Sequence, residues 1–122
     1  MDRQIISEKY FFKGREFSCS LMLAIDVIGG KWKSLIIYYL KDGALRSGDL
    51  QRRIGKPSNK VYAQSLHELE ADGLIRKKAY PVSPPYVEYS LTDEGVKILP
   101  IIKEIAEWGK SIAENIEKTH QS

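Results

Sequence analysis

A chain of 122 residues, 43% hydrophobic and 29% charged, has the size and composition of one globular domain, and a formal charge of +3 does not by itself identify a polyanionic partner. Its longest unbroken apolar runs, Leu21 to Ile25 and Leu35 to Leu40, fall far short of the roughly 20 residues a bilayer-spanning helix needs, and no basic-then-apolar export pattern opens the chain, so a cytoplasmic protein is expected. One cysteine, Cys19, excludes an internal disulfide, and two distant histidines, His67 and His120, offer no metal-ligand cluster, so neither metal nor cofactor is expected.

Residues 1–18 read as a mixed arm, ordered in part by packing of Tyr10, Phe11, Phe12 and Phe17. Residues 19–122 read as the folded domain, and no Pro/Gly/Ser-rich linker divides them. Ser20 is placed to cap a first helix with an apolar face of Leu21, Ala24, Ile25 and Ile28, stopped by Gly29-Gly30. A second helix is expected from about Lys31 to Lys41 on the spacing of Trp32, Leu35, Ile36 and Tyr39, ending at Asp42-Gly43. After a short extended piece, Ala44-Leu45-Arg46, Ser47 is placed to cap a third helix carrying Leu50 and Ile54. Gly55-Lys56-Pro57 breaks it, and Ser58 caps a fourth helix whose Tyr62, Leu66 and Leu69 point inward before Asp72-Gly73. Residues 74–80 and 87–91 carry strand-forming residues around a proline-rich tip, and so predict a two-stranded hairpin. Thr92 caps a long last helix, with Asp93 and Glu94 where the helix dipole favours negative charge and Pro100 set to kink it.

The fold class is therefore mainly α with a small β-hairpin wing, a winged helix-turn-helix. Its charge is unevenly spread: Arg46 to Lys60 holds five cations against one anion, whereas residues 81–122 hold four lysines against seven acids. A basic middle and an acidic tail imply one surface for a polyanion and another turned elsewhere. The second helix of such a pair fits a major groove roughly 12 Å wide, and a wing reaches the flanking backbone. With Tyr62, Leu66 and Leu69 inward, the opposite face presents Asn59, Lys60, Ala63, Gln64 and His67 for base contacts. Asn and Gln suit adenine edges, Lys suits guanine acceptors or phosphate, and the Ala methyl suits thymine. Arg46, Ser47, Arg52, Arg53, Lys56 and Ser58 are placed to hold phosphate, and Lys78 and Tyr86 belong to the wing.

Four stretches together resemble the HxlR-type helix-turn-helix regulators, relatives of the MarR group. They are residues 24–32 (AIDVIGGKW), Leu45-Arg46 with Asp49-Leu50, residues 66–75 (LHELEADGLI), and Tyr80-Pro81 through Pro84-Pro85 to residues 87–92 (VEYSLT). The resemblance spans roughly residues 19–112. It implies operator binding as a homodimer and regulation of nearby genes. Ser65 and His67 stand where the family usually places arginine, and Tyr86 where its wing commonly has a basic residue. These departures predict modest affinity and an altered operator preference.

The last helix argues for a dimer independently. One stripe runs Ile98, Ile101, Ile105, Trp108, Ile112, Ile116 and a second runs Leu99, Ile102, Ala106, Gly109, Ala113, a face too wide for one small core to cover. Ile101, Ile105, Trp108, Ile112 and Ile116 are the expected interface. Cys19 precedes the first helix, where helix-terminal amides and Arg15 favour a reactive thiolate, and some relatives use an N-terminal cysteine as a redox sensor. The alternative is a small packing residue. A small-molecule effector is compatible with the same architecture. An enzyme is not expected, because no third group orients a Cys19–His67 pair. The rival reading is a winged-helix protein-interaction module without DNA binding.

Overall fold

In the computed structural model, residues 8–114 are described. They form β1 (Tyr10–Phe12), β2 (Arg15–Phe17), α1 (Ser20–Ile28), α2 (Lys33–Tyr39), β3 (Leu45–Arg46), α3 (Ser47–Arg53), α4 (Asn59–Ala71), β4 (Ile75–Tyr80), β5 (Tyr86–Leu91) and α5 (Asp93–Ile112). The element order is that of a winged helix-turn-helix, mainly helical with small antiparallel sheets.

The arm carries regular structure that the sequence reading did not anticipate. β1 and β2 pair antiparallel, Tyr10 opposite Phe17 and Phe12 opposite Arg15. Lys13 and Gly14 join them with φ of 50° and 78°, the two positive angles that a tight hairpin turn requires. Arg15 clasps the hairpin to the helices: its Nη1 lies 2.6 Å from Asp26 Oδ2 in α1 and its Nη2 lies 2.7 Å from Asp72 Oδ1 at the end of α4.

The α1 face is also corrected. Leu21 and Ile25, expected inward, are more than half exposed, and Val27 is the buried residue, with Leu23 and Ile28 packed against the core. The core approaches α1 from a direction about a quarter turn away from the one its periodicity suggested. Ser20 lies inside the helix, the N-cap is Cys19, and no side chain caps it. Likewise Arg46, not Ser47, holds the N-cap position of α3, again without a side-chain cap. The caps at Ser58 and Thr92 are as expected: Ser58 Oγ accepts from Val61 N at 3.2 Å, and Thr92 Oγ1 accepts from Gly95 N at 3.2 Å while donating to the Gly73 carbonyl at 2.5 Å.

The core is one cluster built on Ile36, Ile37, Leu40, Leu50, Leu69 and Ile75. The wing is a three-stranded sheet in the order β3-β5-β4, not the expected two-stranded hairpin, because Leu45 and Arg46 pair with Tyr89 and Glu88. Strand alternation turns Ile75 and Tyr89 to the core and leaves Arg46, Lys78 and Arg76 exposed. α5 packs tightly at its start: a Cβ on buried Gly95 would collide with the Leu74 carbonyl oxygen. The helix continues through Pro100, an exposed position, to Ile112. Leu99 and Ile102 are its buried side chains. Beyond them every residue from Lys103 to Ile112 is exposed.

Candidate nucleic-acid interface

The sequence of α4 divides the helix by period. Tyr62, Ser65, Leu66 and Leu69 are buried, and Asn59, Lys60, Ala63, Gln64 and His67 are exposed. Ser65 is small enough to join the inner face, so its lack of a cation removes nothing from the outer one. All five residues expected to read bases share the open side. Two of them arrive with partners. Asn59 Oδ1 accepts from Gln51 Nε2 of α3 at 2.9 Å, which leaves the Asn59 amide nitrogen free to donate. Gln64 Nε2 donates to Glu68 Oε2 at 2.5 Å, and Glu68 Oε1 is paired with Lys33 Nζ of α2 at 2.7 Å. Hydrogen bonds from Lys33 and then Gln64 hold the Glu68 carboxyl below its ordinary range. Sequence pattern had not singled out Glu68 or Lys33, because neither carries an exposed reading position.

The expected phosphate contacts separate into two kinds. Arg46, Arg52, Arg53 and Lys56 are exposed, and Arg52 pairs with Asp49 one turn earlier. Ser47 is half-buried and occupied: the Tyr62 hydroxyl donates to the Ser47 carbonyl at 2.8 Å and lies 3.1 Å from Ser47 Oγ. Burial pushes the Tyr62 hydroxyl pKa up, and the hydrogen bond to Ser47 opposes that shift. Tyr62 thus ties the start of α3 to α4. Ser58 Oγ is engaged as a helix cap, with its O–H still able to donate.

Two adjoining clefts line this side. One, of about 290 Å³, lies between α4 and the sheet and includes Ala63, His67, Glu70, Lys77 and Tyr89. The other, of about 550 Å³, includes Arg46, Asp49, Arg52, Lys77 and Tyr86. Lys77 lines both, and the sequence reading had passed it over for Lys78. Strand parity would have found it: Lys77 pairs with Tyr89 on the side facing α4, whereas Lys78 pairs with Glu88 and sits 4.8 Å from the Tyr80 ring centroid. Tyr86 lies under Arg46 at 3.8 Å and stacks on Tyr80 at 4.6 Å.

Cys19 is exposed. Both terminal nitrogens of the Arg15 guanidinium, the cation expected to favour its thiolate, pair with Asp26 and Asp72. Of the expected dimer residues, Ile101, Ile105, Trp108 and Ile112 are each more than half exposed. Ile116 lies outside the described residues. Among the described residues no helix is long and apolar enough to cross a membrane, and no group of three or more His, Cys, Asp or Glu is placed to hold a metal.

Comparison with known proteins bears on this geometry. Residues 27–117 match the family described as HxlR-like helix-turn-helix. An HTH-type transcriptional regulator of Methanothermobacter thermautotrophicus is 44% identical over 104 residues, covering 85% of this chain and 79% of the relative. Among solved structures, the redox regulator HypR in its oxidised form superposes with a TM-score of 0.75 at 38% identity, covering 80% of this chain and all of that one. A MarR-family transcriptional regulator from Porphyromonas gingivalis W83 superposes at 0.74 with 43% identity, covering 78% and 93%. These relatives are regulators and not enzymes, and the chain belongs to the HxlR-like helix-turn-helix family of transcriptional regulators.

Proposed function

We propose that this protein is a sequence-specific, double-stranded DNA-binding transcriptional regulator that acts in the cytoplasm as a homodimer. The observation that carries the proposal is the open polar face of α4, where Asn59, Lys60, Ala63, Gln64 and His67 are all exposed beside clefts bearing Arg46, Arg52 and Lys77. Side chains on α4 read base edges, and the cations around it hold phosphates and fix register. Ile101, Ile105, Trp108 and Ile112 are the surface for the second copy, because an apolar stripe of this length on a helix that has left its own core is costly in water. Two-fold pairing then presents two copies of α4 to operator half-sites.

The test is selection of bound duplexes from a random pool, followed by salt titration of the wild type and of Lys60→Ala and Gln64→Ala. Affinity should fall steeply with salt. Lys60→Ala should weaken binding, and Gln64→Ala should relax preference at one base pair by about 1–3 kcal/mol. Affinity indifferent to salt would favour a protein-interaction module instead.

A thiol-responsive mode is the second reading, favoured by the exposure of Cys19 at the first residue before α1, directly after the hairpin that Arg15 clasps to α1 and α4. Diamide should change DNA affinity in the wild type and leave Cys19→Ser unaffected. Equal responses, or none, remove this reading.

A further inference from the structure

Three side chains from three strands meet at the mouth of the wing. Tyr80 and Tyr86 face each other across β4 and β5 at the two ends of the proline-rich loop, with ring centroids 4.6 Å apart and planes within 15° of parallel. The Arg46 guanidinium, from β3 at the start of α3, lies 3.8 Å from the Tyr86 ring centroid. Tyr80 is itself fixed, since its hydroxyl donates to Glu88 Oε1 at 3.2 Å and Lys78 Nζ sits 4.8 Å from its ring. Arg46 and Tyr86 together line the cleft that also contains Arg52 and Lys77.

We infer that Tyr86 is a positioning residue for DNA binding: it holds the Arg46 guanidinium ready to grip a backbone phosphate in that cleft. The inference rests on the DNA-binding reading and names a part of its phosphate grip. A guanidinium interacts with an aromatic ring through its face, and its N–H donors lie at its edge. Stacking on Tyr86 therefore restricts the long side chain without consuming the donors that a phosphate needs for a paired contact. A free arginine at this exposed site would lose rotamer freedom on binding, whereas the stacked one has already lost it in the free protein. The alternative role for Tyr86 is purely structural, as the cross-strand partner of Tyr80 that closes the loop.

A double-mutant cycle on affinity for a duplex selected from a random pool separates the two roles. Arg46→Ala should weaken binding about 10-fold or more, as expected for loss of a charge-assisted contact. Tyr86→Leu should weaken it about 2- to 5-fold, the size of an exposed cation–π interaction. Tyr86→Phe keeps the ring and should bind like the wild type. In the Arg46→Ala background, Tyr86→Leu should cost nothing further. Should Tyr86→Leu fold poorly, Tyr86→Thr makes the same truncation with a residue that favours strands. Equal losses from truncating Tyr86 in both backgrounds, or a Tyr86→Phe loss as large as that of Tyr86→Leu, would overturn the inference and leave DNA binding standing. A wild type that binds no duplex in a salt-dependent manner removes both.

Discussion

The two helices that define this molecule treat their apolar residues in opposite ways. α4 buries Tyr62, Leu66 and Leu69 and turns Asn59, Lys60, Ala63, Gln64 and His67 outward. The distal half of α5 turns Ile105, Trp108 and Ile112 outward and buries nothing past Ile102. The first pattern is complete in a single chain, and what remains outside is chemistry suited to a polar ligand. The second is incomplete in a single chain, since the residues that should form a core have no core to join. α4 is therefore read as a binding element and distal α5 as half of an interface.

Substitutions at matched apolar positions test that contrast. Leu69 is fully buried in α4, and Leu69→Ala should destabilise the fold by about 2–5 kcal/mol in denaturant titrations, through lost transfer energy and the cavity left behind. Trp108→Ala, a larger truncation, should leave the stability of an isolated chain nearly unchanged because the side chain is 64% exposed. It should instead weaken dimerisation by about 2 kcal/mol, as an aromatic anchor does, which is roughly 30-fold in the dissociation constant by sedimentation. A Trp108→Ala chain that unfolds more easily as a monomer and still dimerises would erase the distinction between the two helices.

A smaller effect isolates the hydrogen bonds of α4 from its packing. Tyr62→Phe removes only the hydroxyl that reaches the Ser47 carbonyl and Oγ. It should cost about 1 kcal/mol of stability. Because the same contact ties α3 to α4, operator affinity should fall as well if it also fixes the angle between them. Unchanged affinity with reduced stability would mean that the angle between the helices is held by packing alone.

Much of this was legible in the sequence, and most of the failures share a cause. Element order, the caps at Ser58 and Thr92, and the two faces of α4 follow from local rules about spacing and capping. What was misread depends on partners distant in the chain. Leu21 and Ile25 satisfy a helical period, yet the core lies on the Val27 side. Ser47 has the residue type of a cap, but Tyr62, fifteen residues away, takes its hydroxyl. β3 has only two residues and exists because β5 offers it an edge. The Lys13-Gly14 turn was, by contrast, readable between two aromatic-rich segments and was missed. At the candidate interface, residue type located the exposed base-contact candidates, whereas Glu68 emerged only once α2 was placed beside α4, and Lys77 was missed although strand parity marks it.

The smallest effect concerns the outer face of α4 itself, where Glu68 ties Gln64 to Lys33. Its carboxyl pKa is lowered in the fold, chiefly by Lys33 and then by Gln64, from an ordinary value of 4.5. A lowered value means that the folded state favours the ionised form, so the contribution is complete above about pH 4.5 and is lost as pH falls through the lowered value. Glu68 is 40% exposed, so the bridge should be worth only about 0.2–1 kcal/mol. Denaturant titrations of the wild type and Glu68→Gln should differ by that amount at neutral pH and converge in acid. The neutral variant also frees the Gln64 amide from a charged acceptor, so base preference at the position Gln64 reads should broaden while phosphate-driven affinity is retained. A stability difference that persists unchanged into acid would show that the bridge is not the source of the shift, and would leave Gln64 oriented by something other than Glu68.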